Sequence, residues 1–172
     1  IMISSKTLNI DNPKLTCRLK GYDKFSPKRI ILDKNLDIKL KSYIFRSSKK
    51  GNTILFYNSS NTRKIKVLKK KGLTLIKTKL NNEGLLDLNI VLKKLFNLGT
   101  RTLLVEGGDK ISKNLIKDRL IDTFYLFQSP KILRMSKINQ GFTSFGILKN
   151  KYKKVSKITS KLAKDNITIY KR

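Results

Sequence analysis

Histidine and tryptophan are absent from this chain of 172 residues, and alanine and cysteine occur once each, as Ala163 and Cys17. Without histidine, the chain cannot build a Ser-His-Asp or Cys-His site from its own residues. A histidine-based zinc site is excluded and one cysteine cannot supply four thiolates, so no metal site is expected. Cys17 has no partner for an internal disulfide, which suits a reducing compartment, and it reads as a packing residue. No apolar run approaches the ~20 residues that cross a bilayer. Ile1-Met2-Ile3 passes at once into polar residues, unlike a signal peptide. The expectation is a cytoplasmic protein that does not engage membranes.

Acidic residues are also scarce: 11 against 40 basic ones, for a net charge of +29. Such a field attracts anionic small molecules and speeds their arrival. It also raises the alternative of a basic nucleic-acid-binding module. Against that, the lysines are spread along the whole chain, and the six Tyr and eight Phe do not interleave with a basic stripe. AT-rich codons alone produce a chain rich in Lys, Ile, Leu and Asn. A nucleic-acid partner is therefore not expected.

The length fits one domain over 1–172. Residues 1–5 read as the end of a strand, and 6–27 as a long loop punctuated by Asn12-Pro13 and Ser26-Pro27. Short strands are predicted at 28–33, 42–46 and 53–57. A helix over 62–71 carries Ile65, Val67 and Leu68 and is stopped by Gly72. After a strand at 73–78, Asp87 caps a helix with Ile90, Val91, Leu95 and Leu98 on its apolar face, ended by Gly99. A strand at 102–105, a Gly107-Gly108 turn, a helix over 109–118 (Ile111, Leu115, Ile116) and a strand at 121–128 follow. This alternation predicts crossovers and a largely parallel sheet. Segments 152–159 and 166–172 read as an antiparallel hairpin around a polar turn.

The stretch Leu103-Leu104-Val105-Glu106-Gly107-Gly108-Asp109 is the most informative. A buried strand would deliver a carboxylate at its C-terminal end. Two glycines would turn the backbone, and unpaired N–H groups of the next helix would face a phosphate. Ligands bind at that edge of parallel sheets. The same pattern also serves as a plain tight connection. A second stretch, Thr7-Leu8-Asn9-Ile10-Asp11-Asn12-Pro13-Lys14-Leu15-Thr16-Cys17-Arg18, holds a turn and an arginine whose fork suits phosphate or carboxylate. By itself it reads as a solvated loop.

Together, Thr7, Asp11, Pro13, Leu15, Thr16 and Arg18, a strand ending in Asp33, Leu104-Val105-Glu106-Gly107-Gly108 before a helix, then Asp122 and Pro130-Lys131, resemble a known family. It is the C-terminal reductase domain of the bifunctional riboflavin-biosynthesis deaminase/reductase, and the order and spacing match across nearly the whole chain. The resemblance implies a dihydrofolate-reductase-like α/β fold in three layers: a mostly parallel mixed sheet flanked by helices, with a C-terminal antiparallel hairpin. It implies an oxidoreductase that passes hydride from NADPH to the ribosyl group of 5-amino-6-(5-phosphoribosylamino)uracil. A dihydrofolate-type reductase of another pterin or pyrimidine is the neighbouring reading, without need of the Arg18 and Glu106 pairing.

Position by position, Thr7 and Asp11 match cofactor contacts. Leu15, Arg18 and Glu106 match contacts to the phosphorylated pyrimidine substrate. Gly108, Asp109, Lys110, Ile111 and Ser112 match the cofactor pyrophosphate site. Lys34 stands where the family often has serine, in a cofactor-binding turn, and a cation there suits the 2′-phosphate of NADPH. No catalytic residue is assigned; Glu106 and Asp11 are the candidates for a general acid. The family domain begins with a strand and helix that this chain lacks. Its zinc deaminase signature is missing too, so deamination is not expected of these residues, and a fused deaminase domain in the native protein is left open. Homodimer formation is implied by the resemblance.

Overall fold

The structure, a computed structural model, describes residues 1–129, 142–159 and 166–172. Pro130-Lys131 and the polar turn at 160–165 lie outside the described residues. The chain divides into two compact units, Ile1–Gly107 and Gly108–Arg172.

The first unit is built on four parallel strands in the order β1 (Met2–Ser4), β2 (Arg29–Leu32), β3 (Thr53–Tyr57) and β4 (Thr74–Lys77). Beyond β1 the chain returns at 102–105: Met2 N–H donates to the Leu104 carbonyl at 2.8 Å, and Glu106 N–H donates to the Met2 carbonyl at 3.0 Å. This segment makes a single parallel bridge, Val105 to Met2. Leu104 is 56% exposed, so it is a sheet edge rather than the buried strand expected. β2 and β3 are buried at every position, as apolar strands covered on both faces must be. Helices α3 (Thr62–Lys70) and α4 (Leu88–Asn97) make the crossovers flanking β4.

Leu68 of α3 packs into a core with Ile3, Leu8, Ile31, Ile44 and Leu55. Val67 is 37% exposed and Leu98 47%, so the apolar faces predicted for these helices are narrower than the sequence suggested. Asp87 caps α4 by accepting from Ile90 N–H at 3.2 Å, as expected. Gly72 ends α3 with φ +95°, and a Cβ there would lie 3.1 Å from the Lys50 backbone nitrogen, so only glycine fits.

Two sequence expectations fail locally. The start of the predicted loop at 6–27 is helix α1 (Ser5–Asp11), and the predicted strand at 42–46 is helix α2 (Tyr43–Arg46). Both are fixed by a serine cap. Ser4 accepts from Thr7 N–H, and Ser42 from Phe45 N–H. Each helix buries one apolar residue, Leu8 or Ile44, too few to show a period.

The second unit has helices α5 (Asp109–Lys117) and α6 (Phe145–Lys151) and an antiparallel sheet in the order β5 (Thr123–Gln128), β7 (Asn166–Lys171), β6 (Lys153–Thr159). The hairpin strands pair as expected. β5, expected to continue the parallel alternation, instead pairs antiparallel with β7. Its Leu126 packs with Ile116, Leu148, Tyr152 and Tyr170. A three-residue apolar alternation does not encode strand direction; the long-range partner does.

Candidate active site

Within the first unit, the C-terminal ends of the parallel strands carry the predicted ligand residues. β1 ends at Ser4, whose hydroxyl caps α1 and lies 3.0 Å from the Thr7 hydroxyl. Thr7 is thereby held in the first turn of α1, half-buried. Asp11 ends α1 and is exposed. An acid there opposes the helix dipole, so its charge does not serve the helix. Asn12 closes α1 in the left-handed region at φ 45°. Leu15 also has positive φ, 51°, and its side chain is buried in the core, so what it offers a ligand is chiefly backbone. Arg18 is exposed and has no partner among the described residues.

β2 delivers Asp33, which is fully buried. Its carboxylate accepts from Asp37 N–H at 2.7 Å and Ile38 N–H at 2.8 Å, and the Ser5 hydroxyl lies alongside. Burial pushes this carboxyl above its ordinary range, against the opposing pull of those hydrogen bonds. Asp33 thus holds both the turn containing Lys34 and the start of α1. The Lys34 ammonium donates to the Gly84 carbonyl at 2.8 Å. The Lys34 carbonyl accepts from Asn58 N–H at the end of β3. Sequence reasoning placed Lys34 but missed its anchors Ser5, Asn58 and Gly84. The Ser4-x-x-Thr7 spacing was the available signal for the first helix. Glu106, exposed, follows the bridge to β1 and so belongs to the same edge.

A cleft of about 170 Å³ lined by Leu8, Asn9, Asn12, Lys39, Lys41 and Ser42 contains none of the predicted ligand residues. Its walls are tied together: Asn9 bridges to Asp37 and Lys39, and Asn12 accepts from Tyr43 N–H at 2.7 Å.

In the second unit, Gly108 caps α5 without a side chain, and no atom lies within 4 Å of where its Cβ would be. Ile111 and Ser112 N–H groups return to the Gly108 carbonyl at 3.2 and 3.3 Å. Among the described residues the N–H groups of Asp109 and Lys110 have no acceptor. The helix start therefore has the open backbone donors that an anionic group requires. The Asp109 carboxylate is committed elsewhere. It accepts from Thr143 N–H at 2.9 Å, from the Thr143 hydroxyl, and from Ser144 N–H and hydroxyl at 3.3 and 3.1 Å. Partial burial pushes its pKa up, but these bonds outweigh that and leave it below the ordinary value. Lys110 is exposed, and Ile111 and Ser112 are half-buried.

The first unit is a parallel α/β sheet with polar and charged residues along its C-terminal ends, and the second opens with a helix whose first N–H groups are free among the described residues. Residues 1–164 match the family model described as the RibD C-terminal domain, and the chain belongs to that family. Riboflavin biosynthesis protein RibD of Aquifex aeolicus is 28% identical over 172 residues, all of this chain and 46% of that protein. A 2,5-diamino-6-ribosylamino-4(3H)-pyrimidinone 5′-phosphate reductase of Aquifex aeolicus is 27% identical, over 77% of this chain and 57% of its own length. The chain thus spans about half the length of these curated relatives. Among solved structures, Acinetobacter baumannii RibD superposes with a TM-score of 0.72 at 20% identity, covering 99% of this chain and 46% of that one. A pyrimidine reductase-like protein of Corynebacterium diphtheriae gives 0.73 at 16% identity, covering 99% and 74%. The α/β fold is the one these structures share.

Proposed function

We propose that this chain is the reductase of a riboflavin-biosynthesis enzyme, reducing the ribosyl group of a phosphoribosylamino-pyrimidine to the ribityl form. The carrying observation is the family match over 1–164, together with relatives named as RibD and as a pyrimidinone phosphate reductase. Bound NADPH supplies the hydride that reaches C1′ of the sugar. The protein's task is to bind, orient and balance charge. Thr7 and Asp11 are assigned to dinucleotide contacts in the first unit; in the second, the backbone donors at the start of α5 suit a pyrophosphate. Arg18 takes the substrate phosphate as a charge-assisted pair, with Leu15 beside it. Glu106 orients polar atoms of the pyrimidine. As the sugar ring opens, its oxygen takes up a proton, and Glu106 and Asp11 are the candidate carboxyl groups to supply it. Fusion to a deaminase domain in the native protein is compatible with the chain spanning 46% of the Aquifex aeolicus RibD protein.

Lys34 is the specificity element of this reading. Among the described residues its ammonium bonds a neutral carbonyl, Gly84, so exchange for a 2′-phosphate is a gain in charge pairing. Fluorescence titration at physiological salt should show saturable binding with NADPH preferred over NADH. Lys34→Glu should raise the NADPH dissociation constant by roughly tenfold or more while leaving NADH nearly unchanged. Equal loss for both cofactors would remove Lys34 from that role, and no binding of either would defeat the reductase reading.

Homodimer formation is supported by one face of the antiparallel sheet. Tyr125 and Phe127 on β5 stand opposite Ile169 and Ile167 on β7, and Ile158 on β6 pairs with Ile167. Tyr125, Phe127 and Ile158 are 55%, 67% and 50% exposed. A contiguous apolar face of this kind marks an interaction surface. Sedimentation at micromolar concentration should show a dimer that Phe127→Lys converts to monomer. A dimer untouched by that change would place the interface elsewhere.

A further inference from the structure

The candidate site uses the C-terminal ends of the parallel strands. The opposite, N-terminal edge of the same sheet is left with a distinct chemistry. Residues 38–82 contain 13 lysines and arginines and no acidic residue. The fold sends Lys49, Lys50, Lys69, Lys70 and Lys71 of this stretch to the segments that enter β3 and β4, and Lys28, outside it, to the loop that enters β2. Lys28 precedes β2, Lys49 and Lys50 lie in the turn before β3, and Lys69, Lys70 and Lys71 close α3 before β4. Hydrogen bonds join these loops into one row. Leu104 meets Met2, Ile1 meets Lys28, and Arg29 meets Asn52. The Lys49-Lys50 backbone in turn abuts Gly72, at 3.1–3.2 Å from its Cβ position.

None of these lysines has a carboxylate or hydrogen-bond partner for its ammonium among the described residues, and all but the half-buried Lys71 are exposed. Just behind them, Arg29 is 4% exposed, and among the described residues its guanidinium bonds the Ser47 hydroxyl and carbonyl and no carboxylate. With strands ~4.8 Å apart, the row from the 102–105 segment to β4 runs about 20 Å.

Aromatic rings lie exposed on the segments that approach the same row. Phe25, 65% exposed, pairs with Tyr22 at 5.8 Å and carries Lys24 over its face at 5.3 Å. Phe96, 59% exposed, carries the Arg101 guanidinium at 4.4 Å. A row of cations with few acids beside it (Asp23 next to Phe25, and Glu106 acting on the Ile1 ammonium), bordered by open rings that carry cations, has the elements of a sequence-tolerant single-strand site: phosphates on the lysines, bases on the rings. Each ring carries a cation over its face, Lys24 on Phe25 and Arg101 on Phe96, which disfavours insertion into a lipid surface.

We propose that the N-terminal edge of the parallel sheet binds single-stranded nucleic acid, away from the reductase site. The linear spread of lysines had argued against such a partner; the parallel topology gathers them by placing every strand-entry loop on one edge.

The test is fluorescence anisotropy of a labelled 20-nucleotide oligouridylate over a salt series with the whole chain. Saturable binding is expected, weakening steeply with salt. Lys49→Glu/Lys50→Glu/Lys70→Glu should weaken it at least tenfold and reduce the log–log salt slope by roughly 0.7 per lost contact. Phe25→Ala should weaken it about fivefold or more without changing the slope. The control Lys153→Glu/Lys154→Glu/Lys157→Glu, on β6, carries the same charge change and should shift binding less than twofold. Circular dichroism and NADPH titration verify that each variant stays folded. The proposal is overturned if both triple variants weaken binding equally, which is a net-charge effect, or if the oligonucleotide does not bind. Edge-dependent binding to vesicles containing anionic lipid, without oligonucleotide binding, would overturn it in favour of a membrane surface.

Discussion

Replacing Asp33 with alanine should destabilise the first unit by about 1–4 kcal/mol, because a buried backbone N–H loses its acceptor at about 1–3 kcal/mol and a part-buried one at about 1 kcal/mol or less. Those donors, Asp37 and Ile38 N–H, have no alternative partner. The loss should also reach ligand binding, since the turn carries Lys34 and the Ser5 contact fixes the start of α1 with Thr7. Asp33→Asn should recover only part, because one side-chain oxygen can still accept while the amide nitrogen faces a donor. Urea denaturation of the three proteins measures this. A loss under 1 kcal/mol would show that the turn holds without the carboxylate.

The same residue sets a pH dependence of known sign. Folding raises the Asp33 pKa, so the folded state binds its proton more tightly. Its contribution to stability is then full at acidic pH and declines as pH rises from the ordinary carboxylate range to the raised value. Asp109 runs the other way: its lowered pKa gives stability that is present at neutral pH and lost as pH falls through the folded value. The gap between wild type and Asp33→Ala should therefore narrow as pH rises above the ordinary carboxylate range.

Arg18→Ala should raise KM for the phosphorylated pyrimidine roughly ten- to a hundredfold, since a charged hydrogen-bonded pair contributes about 1.5–3 kcal/mol. The effect should fall on substrate and not on cofactor, so NADPH affinity should stay within twofold. Arg18→Lys should recover part of the loss, keeping the charge but not the fork. Because Arg18 is exposed and makes no hydrogen bond or ion pair among the described residues, stability should not change. Steady-state kinetics with varied substrate checks this, and an unchanged KM would assign the phosphate to another cation.

Much of the frame was legible in sequence because it rests on local chemistry. Asp87 and Gly72 bound their helices as side-chain cap and left-handed stop. The apolar runs at β2 and β3 were read as strands because nothing else buries four or five consecutive residues so fully. The Glu106-Gly107-Gly108 stretch and the Thr7 to Arg18 spacing pointed to the family match over 1–164.

The failures share one cause. α1 and α2 are short, each rests on a serine cap and one buried residue, and their helical state depends on what Leu8 and Ile44 pack against. β5 was a strand either way, but only β7, nearly 40 residues on in the chain, decided that it is antiparallel. By itself the sequence determined composition, caps, stops and strand-length apolar runs, since these are properties of neighbouring residues. The tertiary structure alone decided that Asp33 is a buried clamp, that Lys34 bonds the Gly84 carbonyl, and that scattered lysines form one edge. Those depend on pairings between distant residues, which hydrogen bonds and packing select and no local pattern encodes.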